Sequence, residues 1–141
     1  AHAAGFMDFE PELERLLSEV DENILKICFD TGHHSYAGFD PVEFMQKYMS
    51  RISYMHFKDI NPKVKQNVIE NRTGFYDACG QGIFCNLGDG DVDFSIARKI
   101  LLENSFEGWC TVEQDCDPLL DPNPLSDAKL NREYLEAIGF S

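Results

Sequence analysis

No run of apolar residues in this chain comes near the roughly 18 needed to cross a membrane, and no basic amphipathic stretch is present to lie on one. The opening residues show no basic segment followed by an apolar one and a small-residue cleavage site, so the expected compartment is the cytoplasm. Basic residues are scarce. Twelve Lys and Arg stand against twenty-five Asp and Glu, a formal net charge of −13. Nucleic-acid binding draws on phosphate neutralisation by Lys and Arg, so this balance argues against DNA or RNA as a ligand. The five cysteines (Cys28, Cys79, Cys85, Cys110, Cys116) form no CxxC pair and are odd in number, which argues against a zinc ribbon and a disulfide scaffold. Cys28 and Cys110 stand in apolar strand-like runs, where a reduced thiol behaves as a small hydrophobe. All five are read as free thiols.

What is present suffices for one domain over residues 1–141, since 43% apolar and 12% aromatic residues can build a core. The chain has no internal repeat, low-complexity tract or interdomain linker. Short apolar runs alternate with amphipathic segments. Asp8 is expected to cap a helix to about Val20, with Leu13, Leu16, Leu17 and Val20 at helical spacing. Residues 24–29, nearly unbroken in apolar character, read as a strand buried on both faces. Asp40-Pro41-Val42-Glu43 is a capping box with proline at the first helical position, ahead of Val42, Met45 and Met49 as a buried stripe. Residues 52–57 are the next strand. Asn61-Pro62 starts a helix to about Asn71, and Thr73 is placed to cap a further turn or two. Asp93 caps a helix that should bury Ile96, Ile100 and Leu101. Residues 109–112 form a last strand, and Ser126 caps a final helix carrying Leu130, Tyr134, Leu135 and Ile138.

Strands alternating with helices specify an α/β chain with a parallel sheet. A full eight-unit barrel takes about 250 residues, so about four βα units fit here, half of a (β/α)8 TIM barrel. Half a barrel leaves open sheet edges, which soluble proteins cover. The expectation is therefore pairing with another copy, as a homo-oligomer, or with a missing half. The opening residues AHAAGF read like the end of a strand already under way.

Three potential metal ligands fall at equivalent places. Asp30 ends the first clear strand, His56 lies near the end of the second, and Glu113 ends the last. In parallel barrels the active site is built at the C-terminal strand ends. Carboxylate, imidazole and carboxylate suit a divalent cation such as Mn, Co, Mg or Zn. Asp30 and His56 are about one βα unit apart, and His56 to Glu113 is one unit plus the helical segment at 61–80. Any one of them alone would read as an ordinary strand-end residue opening a loop; three on successive strands make a site. His33, three residues after Asp30, is close enough to reach a metal-bound substrate. His34 has an equal claim to be solvated. Lys58 could hold or polarise a substrate oxygen, with Asp59 fixing Lys58 or His56, though a solvated Lys-Asp pair is the plainer alternative. The loop GDGDVD at 88–93 could cradle an anion, but a glycine-rich turn leading into an Asp cap is the more ordinary reading. His2, at the end of an earlier strand, could face the site.

The segments FDTGHH, YMHFKD, GIFCNLGDGDVDF and GWCTVEQDCD together resemble the xylose-isomerase-like sugar isomerase/epimerase barrels. The resemblance extends over nearly the whole chain and matches the family's C-terminal half. DTGH and HxKD are shared widely in the superfamily, whereas the stretch from Gly82 to Phe94 with VEQD at 112–115 is similar to a branch that dehydrates 2-keto-inositols. That resemblance implies metal ligation by Asp30, His56 and Glu113 and substrate contact by His33 and Lys58. It implies a divalent cofactor, with Mn or Co favoured, and a small polyhydroxylated carbonyl substrate. The superfamily usually supplies a further ligand, often a Glu, from a strand preceding Asp30. The chain begins near that point, so activity of this stretch alone is not expected. His2 would correspond to a histidine of the dehydratase branch.

In the chemistry implied, Glu113 or His33 removes an α-proton and His33 or Lys58 protonates the departing hydroxyl. An isomerase or epimerase would use the same enolate and return the proton elsewhere. Two other readings are a non-catalytic sugar-binding or subunit module, which need hold no metal, and an endonuclease IV-type repair enzyme, which the charge disfavours.

Overall fold

The structure, a computed structural model, describes residue 5, residues 7–117, residue 119 and residues 123–140. Its element order is α1 (Glu10–Glu19), β1 (Ile27–Asp30), α2 (Thr31–Tyr36), α3 (Pro41–Tyr48), β2 (Ile52–Phe57), β3 (Asp59–Ile60), α4 (Pro62–Asn71), α5 (Phe75–Gly80), β4 (Phe84–Cys85), α6 (Phe94–Glu103), β5 (Trp109–Val112) and α7 (Pro124–Ala137). β1, β2 and β5 form a parallel sheet in that order. The alternation expected of a barrel segment is therefore present. β3 and β4 add a two-residue antiparallel pair that the sequence pattern does not announce.

Side chains alternate across each strand, so the two faces of the sheet have different fates. Phe29, Met55 and Phe57 are buried to 0–1% exposure against the helices. Leu13 and Leu17 of α1, Phe44 and Met45 of α3, and Phe94, Ala97, Ile100 and Leu101 of α6 join them in one core. The opposite face carries the paired rows Cys28, Tyr54, Trp109 and Asp30, His56, Thr111. This second face is open: Trp109 is 78% exposed, and Cys28 and Thr111 are exposed as well. The expectation of a strand at 24–29 buried on both sides is corrected accordingly. Ile24 lies in a turn at 80% exposure, and the strand begins at Ile27. An apolar run signals a buried strand only where both faces find cover. None of the five cysteines is joined in a disulfide.

Caps decide where most helices start. The Asp40 carboxylate accepts the Val42 N–H at 2.8 Å, Asn61 accepts from Lys63 and Val64, and Asp93 accepts from Ile96, with proline opening α3 and α4. Three capping expectations are corrected. Asp8 holds the Gly5 N–H, leaving Phe9 at the cap position of α1. α5 starts after Gly74 with no side-chain cap, and α7 starts at Pro124, so Ser126 lies inside it. Two buried stripes shift as well. Ile96 and Leu130 are exposed, while Phe94 and Ala97 turn inward.

The segment between β2 and α6 forms its own small cluster from Ile60, Val68, Ala78, Ile83 and Phe84. Its start is joined to the loop at 88–92 by Asp59, which is fully buried. One carboxylate oxygen accepts the N–H groups of Ile60 and Val92, and the other those of Gly88 and Gly90, at 2.9–3.1 Å. The glycine-rich loop does cradle an anion, and that anion is the protein's own side chain. A Cβ at Gly90 would run into the Asp59 carboxylate and the Ile60 carbonyl, which explains the glycine there. Among the described residues no helix is long and apolar enough to cross a membrane.

Candidate metal centre

Parallel pairing sets Asp30 of β1 directly beside His56 of β2. Glu113 follows β5, held there by its N–H donating to the Phe57 carbonyl at 3.0 Å. One ligand-type atom from each of these three residues lies within 4.8 Å of the others. Three strand ends separated widely in sequence thus meet at one point.

The orientation of each group has a local cause. Asp30 caps α2: its Oδ1 accepts the His33 N–H at 2.8 Å. That bond turns Oδ2 toward the cluster, 3.5 Å from His56 Nδ1 and 3.3 Å from Lys58 Nζ. Glu113 Oε2 lies against the same His56 Nδ1 and 3.6 Å from Lys58 Nζ. Asp30 Oδ2 and Glu113 Oε2 are buried, and neither has a hydrogen bond among the described residues.

These features fit a divalent cation. Two carboxylate oxygens with open lone pairs converge with an imidazole nitrogen, an O/N donor set that hard or borderline cations accept. Charge agrees. Asp30, Glu113 and Asp115 surround the single ammonium of Lys58, leaving two negative charges uncompensated when the histidines are neutral. The cluster also has a way in, since His56 and Glu113 are about one-third exposed while Asp30 is buried.

Beside the cluster sits a second group. Lys58 Nζ is 2.9 Å from His33 Nε2 and donates to Asp115 Oδ2 at 2.8 Å, and Asp115 Oδ2 lies 3.3 Å from His33 Nε2. Burial works against the Lys58 charge, but Asp30, Asp115 and Glu113 outweigh it and hold the ammonium above the usual lysine range. The His33 hydrogen bond and then Lys58 keep the Asp115 carboxyl well below the usual carboxylate range, against the opposing effect of burial.

The DTGH stretch explains how Lys58 is held. The Thr31 hydroxyl donates to the Lys58 carbonyl at 2.7 Å and accepts its N–H at 3.0 Å. Gly32 leaves room for the lysine stem, because a Cβ there would stand 2.5 Å from Lys58 Cγ. The ammonium rests 4.9 Å from the centre of the Phe84 ring, supplied by the inserted segment.

The structure therefore brings together five of the residues singled out from sequence: Asp30, His33, His56, Lys58 and Glu113. His2 lies outside the described residues. His34 is corrected from the solvated alternative: it is buried against Phe29 and Phe44, with Nε2 3.0 Å from Glu10 Oε2. Asp59 neither fixes Lys58 nor His56, being occupied by the loop. Sequence reasoning missed Asp115. No local signal marks it, because its partners His33 and Lys58 lie far along the chain.

A family model described as "Xylose isomerase-like TIM barrel" matches residues 1–138. The chain belongs to that family. It is 41% identical over 125 residues to an inosose dehydratase of Clostridium botulinum (strain Eklund 17B / Type B), covering 89% of this chain and 42% of that protein. To the inosose dehydratase of Geobacillus kaustophilus it is 35% identical over 137 residues, 97% of this chain and 44% of the relative. The chain thus spans less than half the length of the curated relatives it matches. Among solved structures, the probable 3-DHS dehydratase AsbF of Bacillus anthracis superposes with a TM-score of 0.70 at 24% identity, over 96% of this chain and 47% of that one. A D-tagatose 3-epimerase-like protein superposes with a TM-score of 0.59 at 23% identity, over 92% and 42%. Identities this low carry the fold alone.

Proposed function

We propose that this chain supplies most of the active site of a metal-dependent dehydratase that removes water from a 2-keto-inositol. The observation that carries the reading is the meeting of Asp30, His56 and Glu113 at one point, with a buried lysine and histidine alongside. Relatives named inosose dehydratase support the substrate class.

Such a substrate has a ketone, an acidic α-hydrogen and a β-hydroxyl, and its hard step is loss of the α-proton. Asp30, His56 and Glu113 would hold the divalent ion, for which Mn or Co is the favoured choice. When bound, that ion supplies Lewis-acid stabilisation of negative charge developing on the ketone oxygen. Glu113 and His33 are the two groups placed to take the α-proton. For His33, the carboxylate of Asp115 stands ready to offset the charge formed on the ring. Lys58 remains an ammonium at neutral pH, so it serves as hydrogen-bond donor and acid toward the departing hydroxyl and not as base. The exposed side of His56 and Glu113 is where substrate would reach the cluster.

The full-length enzyme, supplied with Mn or Co and an inosose, is expected to produce the absorbance of a diketone. Chelation should abolish turnover and readdition should restore it. A ketose product would instead assign a sugar isomerase or epimerase, which uses the same first proton transfer. A protein that holds no divalent ion and turns over neither substrate would be a sugar-binding or subunit module.

A further inference from the structure

We infer that Asp115 is a positioning residue, holding the Lys58 ammonium and the His33 imidazole at a fixed spacing so that acid and base meet one substrate together. The inference rests on the dehydratase reading for its catalytic meaning, while the geometry is independent of it.

Asp115 Oδ2 touches both partners, at 2.8 Å from Lys58 Nζ and 3.3 Å from His33 Nε2, while those two lie 2.9 Å apart. The three form a closed triangle of polar contacts. Without Asp115, the nearest anions to Lys58 are Asp30 and Glu113, at 3.3 and 3.6 Å. Both are the groups assigned to the cation. An ammonium released from Asp115 would swing toward them and compete for the same oxygens. Asp115 therefore has a second effect, keeping the lysine out of the cation's place. Other residues already hold the rest of Lys58. Thr31 clamps its backbone, Gly32 passes its stem, and Phe84 lies beneath its nitrogen. At the tip, Asp115 is the nearest anion, at 2.8 Å. Its carboxylate is about one-third exposed, so its loss leaves no large cavity and its role is not one of packing.

The test uses the full-length enzyme with Mn. Asp115→Ala is expected to lower kcat about a hundredfold with little change in KM, the size of effect a misplaced catalytic group produces. A double-mutant cycle is the sharper measure. Because Asp115 acts partly through Lys58, Asp115→Ala costs less activity in a Lys58→Met background than in the parent enzyme, whereas independent roles multiply. A second readout needs no turnover. The ¹H–¹⁵Nζ correlation of Lys58, visible when an ammonium is held in hydrogen bonds, should vanish in Asp115→Ala and return in Asp115→Asn, whose amide oxygen still accepts. An unchanged Lys58 signal in Asp115→Ala overturns the inference, as do multiplicative losses in the cycle. Absence of any dehydration by the parent enzyme would instead sink the proposed function, leaving the Lys58 signal to judge Asp115.

Discussion

Replacing Asp59 by Asn removes one charge and changes no volume, yet it should be among the most damaging single changes available. Each carboxylate oxygen accepts two backbone N–H groups, Ile60 with Val92 and Gly88 with Gly90. An amide has only one oxygen. Whichever way it turns, its NH2 group faces two buried N–H donors with nothing to accept. Hydrogen bonds to a charged group contribute about 1.5–3 kcal/mol each in net terms, so losing two costs about 3–6 kcal/mol. Domains of this kind are stable by about 5–15 kcal/mol in total, so the change is visible in any unfolding experiment. Urea denaturation should show the midpoint falling by at least about 1 M, for a slope in the usual range of about 1–3 kcal/mol per M. Amide exchange should identify the place, with Gly88, Gly90 and Val92 losing protection before the β1–β2 sheet does. A midpoint shift below about 0.3 M, with exchange at these three amides unchanged, would refute the view that the loop is folded around its own carboxylate.

Three further expectations concern other parts of the molecule. His56→Ala in the full-length enzyme should abolish turnover and reduce bound divalent metal, with the circular dichroism spectrum intact; substantial retained activity would exclude His56 as a ligand. Gly32→Ala places a methyl group 2.5 Å from Lys58 Cγ, on a side chain that cannot retreat, so it should cost about 1–3 kcal/mol of stability and about a hundredfold in kcat; melting and steady-state kinetics check the two parts. Burial holds the His34 imidazole down to about 4, and burial likewise raises the carboxyl of Glu10, whose Oε2 lies 3.0 Å from its Nε2. Between that value and the unfolded value of about 6.5 the unfolded chain binds the extra proton, so stability is full above about pH 6.5 and falls as pH drops toward 4, by about 2 kcal/mol from pH 7 to pH 5. His34→Leu should flatten that part of the stability curve, and an unchanged slope would show that other groups produce it.

How much of this was legible in one dimension follows from which forces are local. The alternation of strands and helices, the caps at Asp40, Asn61 and Asp93, and the strands at 52–57 and 109–112 were all readable, because capping and side-chain periodicity act over a few residues. So were Asp30, His56 and Glu113, since a parallel sheet puts the ends of successive strands on one rim and ligand-type residues there stand out. Asp115 and Asp59 were not. A carboxylate's role depends on which donors surround it, and those donors come from residues far along the chain: His33 and Lys58 for one, the 88–92 loop for the other. The same holds for His34, whose neighbours Glu10 and Phe44 come from two other helices, and for Cys28 and Ile24, whose exposure depends on which face of the sheet is covered. Sequence by itself determined most of the elements and singled out the three residues that meet at one point. Only the tertiary structure decided which charges face one another, because electrostatic partnership is a matter of distance in space, and chain order does not encode it.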